Sequence, residues 1–206
     1  MRESDKQVSG LEAYVERGDF SRYYGIQYGD PRGAWPWKEP VLGALLPNIA
    51  GTVLEIGSGG GRWGQYIMEH ADKAILVDGT PASEAAIRGH FTVPQSTEFI
   101  VSPDGLLPTV PDASVDFVWS FDTFVHFDAD LFWTYCKEVA RVLRSGGQFV
   151  LYYAWDRDAA KPFFRYYDPK QVEAKMKRLG LKHQDEDAIV MDARLSTWKR
   201  SQRRKR

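Results

Sequence analysis

A run of glycines between a short apolar strand and a helix constrains the fold of this chain more than any other feature. Residues 52–56 have the β-rich composition of a strand, residues 57–61 read GSGGG, and helical spacing of apolar residues follows Arg62. Glycines let the backbone turn sharply and approach a bound molecule closely, and free amides at a helix start favour anionic groups. The pattern indicates either a ligand-binding loop or a tight strand-to-helix turn.

The remaining sequence alternates strands with helices. Asp128 suits the N-cap of a long helix that Gly146 would end. Such alternation predicts an α/β protein with a mainly parallel sheet covered on both faces, and ligands bind outside the carboxyl ends of its strands. Beyond the first strand, we predict strands near 74–77, 98–101, 115–120, 148–153, 181–187 and 193–199, and helices near 10–17, 38–47, 62–71, 81–89, 128–145 and 168–179.

Composition narrows the class of protein. The 206 residues fit one domain, and 43% hydrophobic with 27% charged residues is ordinary for a soluble globular chain. The net charge of -1 hides an asymmetry, because residues 199–206 hold six basic residues and no acid, which leaves a body charge of about -7. An acidic body argues against a broad nucleic-acid-binding face. One cysteine, Cys136, and the lack of a signal or long apolar run favour a cytoplasmic chain without a membrane span.

An acid follows the glycine run at the distance found in nucleoside-binding folds. Asp78 ends the second predicted strand, 21 residues after Gly57, where a carboxylate accepts hydrogen bonds from ribose hydroxyls. Residues 59–64 also fit the dinucleotide spacing G-x-G-x-x-G, so a nicotinamide-dependent dehydrogenase is an alternative. Two features disfavour it. Glu55 lies inside the first strand, where it needs loop amides or a ligand ammonium group as donors, and the later segments lack an obvious hydride-acceptor site.

Four stretches together resemble class I S-adenosylmethionine-dependent methyltransferases. The run VLEIGSGGG at 53–61 resembles the family's first motif, and ILVD at 75–78 resembles the acid that ends its second strand. SVDFVWS at 114–120 resembles the fourth strand, and ARVLRSGG at 140–147 resembles the turn into the fifth, with Ser145 where the family usually has proline. The resemblance covers roughly residues 50–155.

The resemblance implies a Rossmann-like, doubly wound sheet of seven strands in the order 3-2-1-4-5-7-6, with strand 7 antiparallel. The two late strands would supply strands 6 and 7. We therefore expect a short N-terminal helical cap at 1–50, a methyltransferase domain at 51–200 and a basic tail at 201–206.

The same resemblance implies S-adenosylmethionine as cofactor, with S-adenosylhomocysteine as product. The glycines would approach the methionine part, Glu55 would help to bind its amino group through water, and Asp78 would take both ribose hydroxyls. Asp104 is the candidate for the adenine amino group, or else a turn aspartate. Trp63 either contacts the cofactor or belongs to the core. The full candidate set is Glu55, Gly57, Ser58, Gly59, Gly61, Trp63, Asp78, Gly79, Asp104, Gly105, Ser120 and Phe121.

Methyl transfer from a sulfonium requires alignment and removal of a proton from the acceptor, and it requires no metal. His126 and Asp122 follow the fourth strand and are the candidate catalytic residues, since an ordinary imidazole pKa of about 6.5 suits a general base. Both could instead have structural roles in the loop. Aromatic clusters at strand ends could wall a pocket or pack the core. The candidate substrate pocket contains Tyr23, Tyr24, Trp35, Trp37, His126, Trp155 and Arg165.

No cluster of residues in the sequence has metal-ligand spacing, so we expect no metal. The favoured function is methyl transfer to an oxygen or nitrogen of a small molecule by a monomer or homodimer. The alternatives are an RNA or protein methyltransferase, which the basic tail would assist, and a catalytically silent cofactor-binding subunit. The base-methylating motif of an Asn or Asp followed by Pro-Pro-Tyr is absent after the fourth strand, where residues 120–123 read SFDT.

Overall fold

The computed structural model describes residues 38–155, 164–184, 187–190 and 193–201. Short 3-10 helices cover Leu46–Asn48 and Phe124–His126. The helices are α1 (Lys38–Leu45), α2 (Gly64–His70), α3 (Ala82–His90), α4 (Ala129–Val142) and α5 (Pro169–Arg178). The strands are β1 (Thr52–Ile56), β2 (Lys73–Asp78), β3 (Thr97–Val101), β4 (Val115–Ser120), β5 (Leu143–Tyr153), β6 (Leu181–His183), β7 (Ala188–Val190) and β8 (Ala193–Arg200).

The strands form one sheet in the order β3-β2-β1-β4-β5-β8-β6, with β7 paired to β8. Strands β1 to β5 pair in parallel, and β8 runs antiparallel to β5 and β6. The predicted Rossmann-like fold is therefore confirmed, with β8 in the place of the antiparallel seventh strand. Two buried clusters cover the two faces of the sheet, one containing residues of α4 and α5 and the other residues of α1 to α3.

Several predicted boundaries are wrong, and one of them is the start of β5, which begins at Leu143 rather than at 148. Helix α4 ends at Val142 rather than at Gly146, because the carbonyls of Arg141 and Val142 accept hydrogen bonds from the amides of Ala113 and Ser114. These donors satisfy the last carbonyls of α4, so the helix needs no glycine at its end. Gly146 lies instead inside β5, with a φ of 84°. Within the predicted strand at 181–187, the described residues form only the short strand β6. A further strand, β7, follows this range, and β6 and β7 pair with opposite halves of β8.

The N-cap of α4 is as predicted, since the Asp128 carboxylate accepts a hydrogen bond from the Leu131 amide. The α1 residues Val41 and Leu45 belong to the same buried cluster as Val190 and Leu195 of the last strands. Within the described ranges, no helix is long and apolar enough to cross a membrane.

The Arg141 side chain anchors the long segment between β3 and β4. Its guanidinium donates to the carbonyls of Leu107 and Val110 and pairs with the carboxylates of Asp112 and Glu138. Glu138 in turn accepts from the Leu107 amide. One side chain on α4 therefore holds the segment that connects β3 to the central strand β4.

We expect Arg141→Ala to lower the free energy of unfolding by about 2–3 kcal/mol, because the two carbonyls and the Glu138 carboxylate lose their donor. Urea unfolding followed by circular dichroism measures this loss. Lys73→Ala is the control: its ammonium group pairs with Glu98, both side chains are exposed, and such pairs contribute about 0–1 kcal/mol. Equal losses in the two variants would contradict the anchoring role of Arg141.

Candidate functional site

The glycine loop between β1 and α2 is bonded to the end of β2. The amides of Gly57 and Ser58 both donate to the Val77 carbonyl, at 2.8 and 3.1 Å. Gly57 and Gly61 have φ values of 81° and 83°, which favour glycine. The loop therefore lies at the carboxyl edge of the sheet, where open α/β sheets bind their ligands.

Asp78, the last residue of β2, faces this loop. Its Oδ2 accepts a hydrogen bond from the Gly59 amide at 2.9 Å, and its Oδ1 accepts from the Thr80 amide at 3.3 Å. Burial raises the pKa of the carboxyl group, and the amides of Gly59, Thr80 and Gly79 oppose this rise. A carboxylate has about four lone-pair sites, so Asp78 can hold the loop and still accept from two hydroxyl groups.

Glu55 is a second buried acid beneath the loop. Only 1% of the residue is exposed, and its Oε2 has no hydrogen-bond partner among the described residues. Burial raises the pKa of Glu55 well above its ordinary value, the Asp78 charge raises it further, and Arg62 lowers it. A Cβ on Gly64 would lie 3.0 Å from that Oε2, so the glycine at the start of α2 allows the carboxylate to approach. A buried acceptor without a donor is costly unless a ligand supplies one.

Helix α3 is attached to the glycine loop by two serines. Ser83 Oγ donates to the Gly59 carbonyl at 2.6 Å and lies 3.0 Å from Ser58 Oγ. Ser83 was not among the sequence-predicted residues. A serine in the first turn of the helix that follows the acid strand was the available signal, but a first-turn serine is also an ordinary helix-start residue.

The segment after β3 is held by Tyr135 of α4. Its hydroxyl donates to the Ser102 carbonyl at 2.6 Å. Burial raises the pKa of Tyr135, the Ser102 hydrogen bond lowers it, and the charges of Asp78 and Asp104 raise it. Asp104 is exposed and accepts from the Leu106 amide at 3.1 Å, as a turn aspartate does. Gly105 is buried against α4.

Ser120 and Phe121 lie where β4 ends, beside the glycine loop. Ser120 Oγ donates to the Ile56 carbonyl at 2.9 Å. The Phe121 ring lies 5.3 Å from the Trp63 ring and 4.4 Å from the Tyr152 ring. Trp63 is 4% exposed and also contacts Trp119 edge-on. Trp63 is therefore a core residue in this structure, and its contact with a cofactor stays a prediction.

The next two residues bring the β4 segment onto the glycine loop. Asp122 has a φ of 57°, which non-glycine residues seldom adopt and which aspartate tolerates better than most side chains. A Cβ on Gly57 would collide with the Thr123 side chain, so the loop and this segment are in direct contact. Thr123 was missed by the sequence reasoning, because nothing in the run SFDT marks a partner for a glycine sixty-six positions earlier.

His126 lies in the short 3-10 helix that follows, against the segment after β5. Its ring packs edge-on against Phe164 at 5.6 Å. The Arg165 amide donates to the Val125 carbonyl at 2.6 Å, and the Tyr167 hydroxyl donates to the Phe127 carbonyl at 2.8 Å. The structure therefore brings together two of the predicted pocket elements, the segments after β4 and after β5.

Trp155 lies at the end of β5 with the Arg194 guanidinium 4.8 Å from its ring centroid. Asp187 holds Arg194 at 2.7 Å and the His183 ring at 2.6 Å. This group from β6 and β8 was not predicted. The pocket candidates Tyr23, Tyr24, Trp35 and Trp37 lie outside the described residues. Among the described residues, no group of three or more His, Cys, Asp and Glu side chains could hold a metal ion.

Comparison with protein families decides the class to which this site belongs. Residues 54–151 match the model of the methyltransferase domain. The match covers just under half of the chain, which over this stretch is similar to the methyltransferase-domain family. The matched residues begin inside β1 and end inside β5, so the methyltransferase domain includes the glycine loop, Asp78 and His126. The resemblance inferred from the four sequence stretches is confirmed. A search of curated proteins gives no match.

Solved structures share the fold of this methyltransferase domain. One chain from the complex between the Haloferax volcanii Trm112 methyltransferase activator and a methyltransferase has a TM-score of 0.69 and 18% identity, covering 93% of this chain and 98% of that one. The Burkholderia thailandensis 1,6-didemethyltoxoflavin-N1-methyltransferase, with S-adenosylhomocysteine and 1,6-didemethyltoxoflavin bound, has a TM-score of 0.65 and 20% identity, covering 93% and 89%. The DhpI-SAM-HEP complex has a TM-score of 0.68 and 20% identity, covering 95% and 96%.

Proposed function

We propose that this protein binds S-adenosylmethionine at the glycine loop and transfers its methyl group to an oxygen or nitrogen of a small molecule. The observation that carries the proposal is the pair of buried acids beneath the loop. Asp78 is bonded to the Gly59 amide, and Glu55 has an oxygen without a donor among the described residues. Similar folds bind S-adenosylmethionine or S-adenosylhomocysteine in the DhpI and toxoflavin methyltransferase structures.

The residues present fit the chemistry of this cofactor. Its amino acid part carries an ammonium group, which supplies the donor that Glu55 Oε2 lacks, directly or through water. Its ribose carries two hydroxyl donors, which the remaining lone pairs of the Asp78 carboxylate can accept. Glycines at 57 and 61 adopt positive φ values and leave the backbone open to close approach.

When bound, the cofactor supplies an electrophilic methyl group on a sulfonium with a neutral leaving group. The protein's own work is then alignment and proton transfer. Glu55 would hold the amino acid part of the bound molecule and Asp78 its ribose, at the carboxyl edge of β1 and β2. An imidazole nitrogen of His126 accepts the proton from the acceptor's O–H or N–H group. Asp122, whose backbone adopts a positive φ just after β4, orients the acceptor.

The surroundings of His126 favour a compact acceptor with apolar surface. Phe164 packs on the imidazole, and the Arg165 amide and Tyr167 hydroxyl attach the segment after β5 to residues 125 and 127. Aromatic walls bury apolar ligands well and leave few polar groups to orient them. Trp155 and Arg165 extend this wall in the proposal.

Two binding measurements test the cofactor and two incubations test the acceptor. Calorimetry should detect S-adenosylhomocysteine and no nicotinamide cofactor; the reverse result would overturn the proposal. Methyl-labelled S-adenosylmethionine is then incubated with a metabolite extract, with and without ribonuclease. Label in small molecules supports the proposal. Label that disappears with ribonuclease indicates an RNA substrate, label in protein a protein substrate, and binding without any label a silent subunit.

We expect His126→Gln to lower kcat by about 10²-fold near neutral pH, the usual size of a lost general base. The cofactor affinity should not change, and the dependence of kcat on pH between about 6 and 9 should flatten, because the titrating base is gone. His90→Gln on the exposed end of α3 is the matched control. Near-full turnover of His126→Gln across this pH range would exclude the base role.

A further inference from the structure

Basic and acidic residues are unevenly distributed along the chain, and the basic excess is not confined to the C-terminal residues. Residues 175–184 and 197–206 hold ten of the 27 Lys and Arg residues and none of the 28 Asp and Glu residues. The remaining 17 basic residues face all 28 acids, which gives the rest of the chain a net charge of about -11. Such separation of sign within one chain favours a polyanionic partner.

The structure brings residues 175–184 and 197–201 together. Strands β6 and β8 pair antiparallel, with Leu181 opposite Arg200 and Lys182 opposite Lys199. The Ser201 amide donates to the Gly180 carbonyl at 2.9 Å, and the Arg200 guanidinium donates to the Leu179 carbonyl. Ser201 therefore lies beside the end of α5. We call Lys177, Arg178, Lys182, Lys199 and Arg200 the basic corner.

Within the basic corner, two lysines face each other across the strand pair. Lys182 and Lys199 occupy directly opposed positions and are exposed. Opposed side chains in such pairs have Cβ atoms about 4.5–5.5 Å apart, and like charges there are destabilising. Among the described residues, no carboxylate forms an ion pair with either lysine. A partner that supplies negative charge between them would remove this cost.

We propose that the basic corner binds the phosphate backbone of a nucleic acid. Lys182 is opposite Lys199, and the neighbouring Arg200 is opposite Leu181, so the side chains of Lys182 and Arg200 lie on opposite faces of the sheet. The basic corner therefore carries positive charge on both faces of this edge. Backbone phosphates need only closely spaced cations. A protein partner would require an apolar anchor, and the exposed large hydrophobic residues of the described chain, Leu46, Val101, Leu106 and Ile189, all lie outside the corner.

The basic corner lies at the far edge of the sheet from the glycine loop. Lys199 is opposite Gln148 near the amino end of β5, whereas Arg194 is opposite Tyr153 at its carboxyl end. The ligand-binding edge of the sheet is at the carboxyl ends. Nucleic acid bound at the corner therefore recruits or localises the protein and leaves the acceptor site open, so the inference stands independently of the proposed function.

Fluorescence anisotropy with a labelled single-stranded RNA of about 20 nucleotides, and DNA of the same sequence, tests the inference on the full chain. We expect log affinity to fall linearly with log salt concentration, and the double variant Lys182→Glu/Lys199→Glu to reduce that slope by about 1.4. Its affinity near 100 mM salt should fall at least about tenfold. Lys137→Glu/Lys170→Glu, at exposed positions of α4 and α5, is the charge-matched control and should bind nearly as well as the parent.

The single variant Lys199→Glu distinguishes a loss of RNA binding from a loss of folding stability. It converts the like-charge pair into an opposite-charge pair, so its unfolding temperature should rise while its RNA affinity falls. S-adenosylhomocysteine binding should stay unchanged in every corner variant. Equal RNA affinity in Lys199→Glu and Lys137→Glu, no dependence on salt, or a corner-dependent preference for phosphatidylserine vesicles over both nucleic acids would overturn the proposal.

Discussion

Replacing Asp78 with alanine is expected to weaken the binding of S-adenosylhomocysteine by about 10²- to 10⁴-fold. Two hydrogen bonds from ribose hydroxyls to a buried carboxylate would be lost, each contributing about 1.5–3 kcal/mol, and about 1.4 kcal/mol corresponds to a factor of ten. The same carboxylate also holds the Gly59 amide. Loss of the Asp78 carboxylate therefore removes contacts to the ligand and also weakens the loop that binds it, and both effects lower the affinity.

Calorimetry on Asp78→Ala, Asp78→Asn and a control separates these two contributions. The side-chain amide in Asp78→Asn would keep one acceptor oxygen, so this variant should retain part of the loop's hydrogen bonding and lose most of the affinity. Asp72→Ala is the matched control, because that aspartate is exposed and precedes β2. Affinity within about threefold of the parent in a folded Asp78→Ala would contradict the assignment of Asp78 to the ribose.

The parts of the site that sequence predicted are those fixed by local chemistry. A glycine run after an apolar strand has few alternatives, because positive φ values at Gly57 and Gly61 exclude most side chains. An acid at the end of the next strand then follows from the spacing of the βαβ unit. Residues 53–61 and 78 were therefore predictable within their own segments.

The contacts that sequence could not predict join segments far apart in the chain. Thr123 meets Gly57, Tyr135 holds Ser102, and Ser83 bonds to Gly59. Each of these residues also suits a local role, in a turn, a helix core or a helix start. Their positions depend on which strands and helices become neighbours; for Thr123 and Gly57 it is the pairing of β1 with β4.

The end of α4 illustrates the same limit. Gly146 has the positive φ expected of a helix-ending glycine, yet it lies inside β5. The helix ends earlier because residues 113 and 114 supply donors to its last carbonyls. Similarly, the interruption between β6 and β7 coincides with Asp187, whose carboxylate bonds to both His183 and Arg194. Tertiary hydrogen bonds overrode local signals in both places.

The buried acid Glu55 gives the free protein a dependence on pH whose sign is fixed. Its pKa in the folded protein is well above the ordinary value of 4.5, mainly because of burial. Above pH 4.5 the unfolded chain loses this proton and the folded chain keeps it. The folded state then binds more protons, so its stability falls as the pH rises from there to the raised pKa. In Glu55→Gln, this contribution to the decrease of stability with rising pH should be absent.

Glu55→Gln should also weaken S-adenosylhomocysteine about 10- to 100-fold at neutral pH, because the ligand's ammonium group loses a charged acceptor. 5′-Methylthioadenosine, which lacks the amino acid part, should bind the parent and the variant alike. In the parent, an ammonium group beside Glu55 favours the carboxylate, so binding below the raised pKa releases a proton and affinity rises with pH. Calorimetry in buffers of different ionisation enthalpy measures this proton. An equal loss for both ligands, or proton release that persists in the variant, would assign Glu55 to the support of the loop instead.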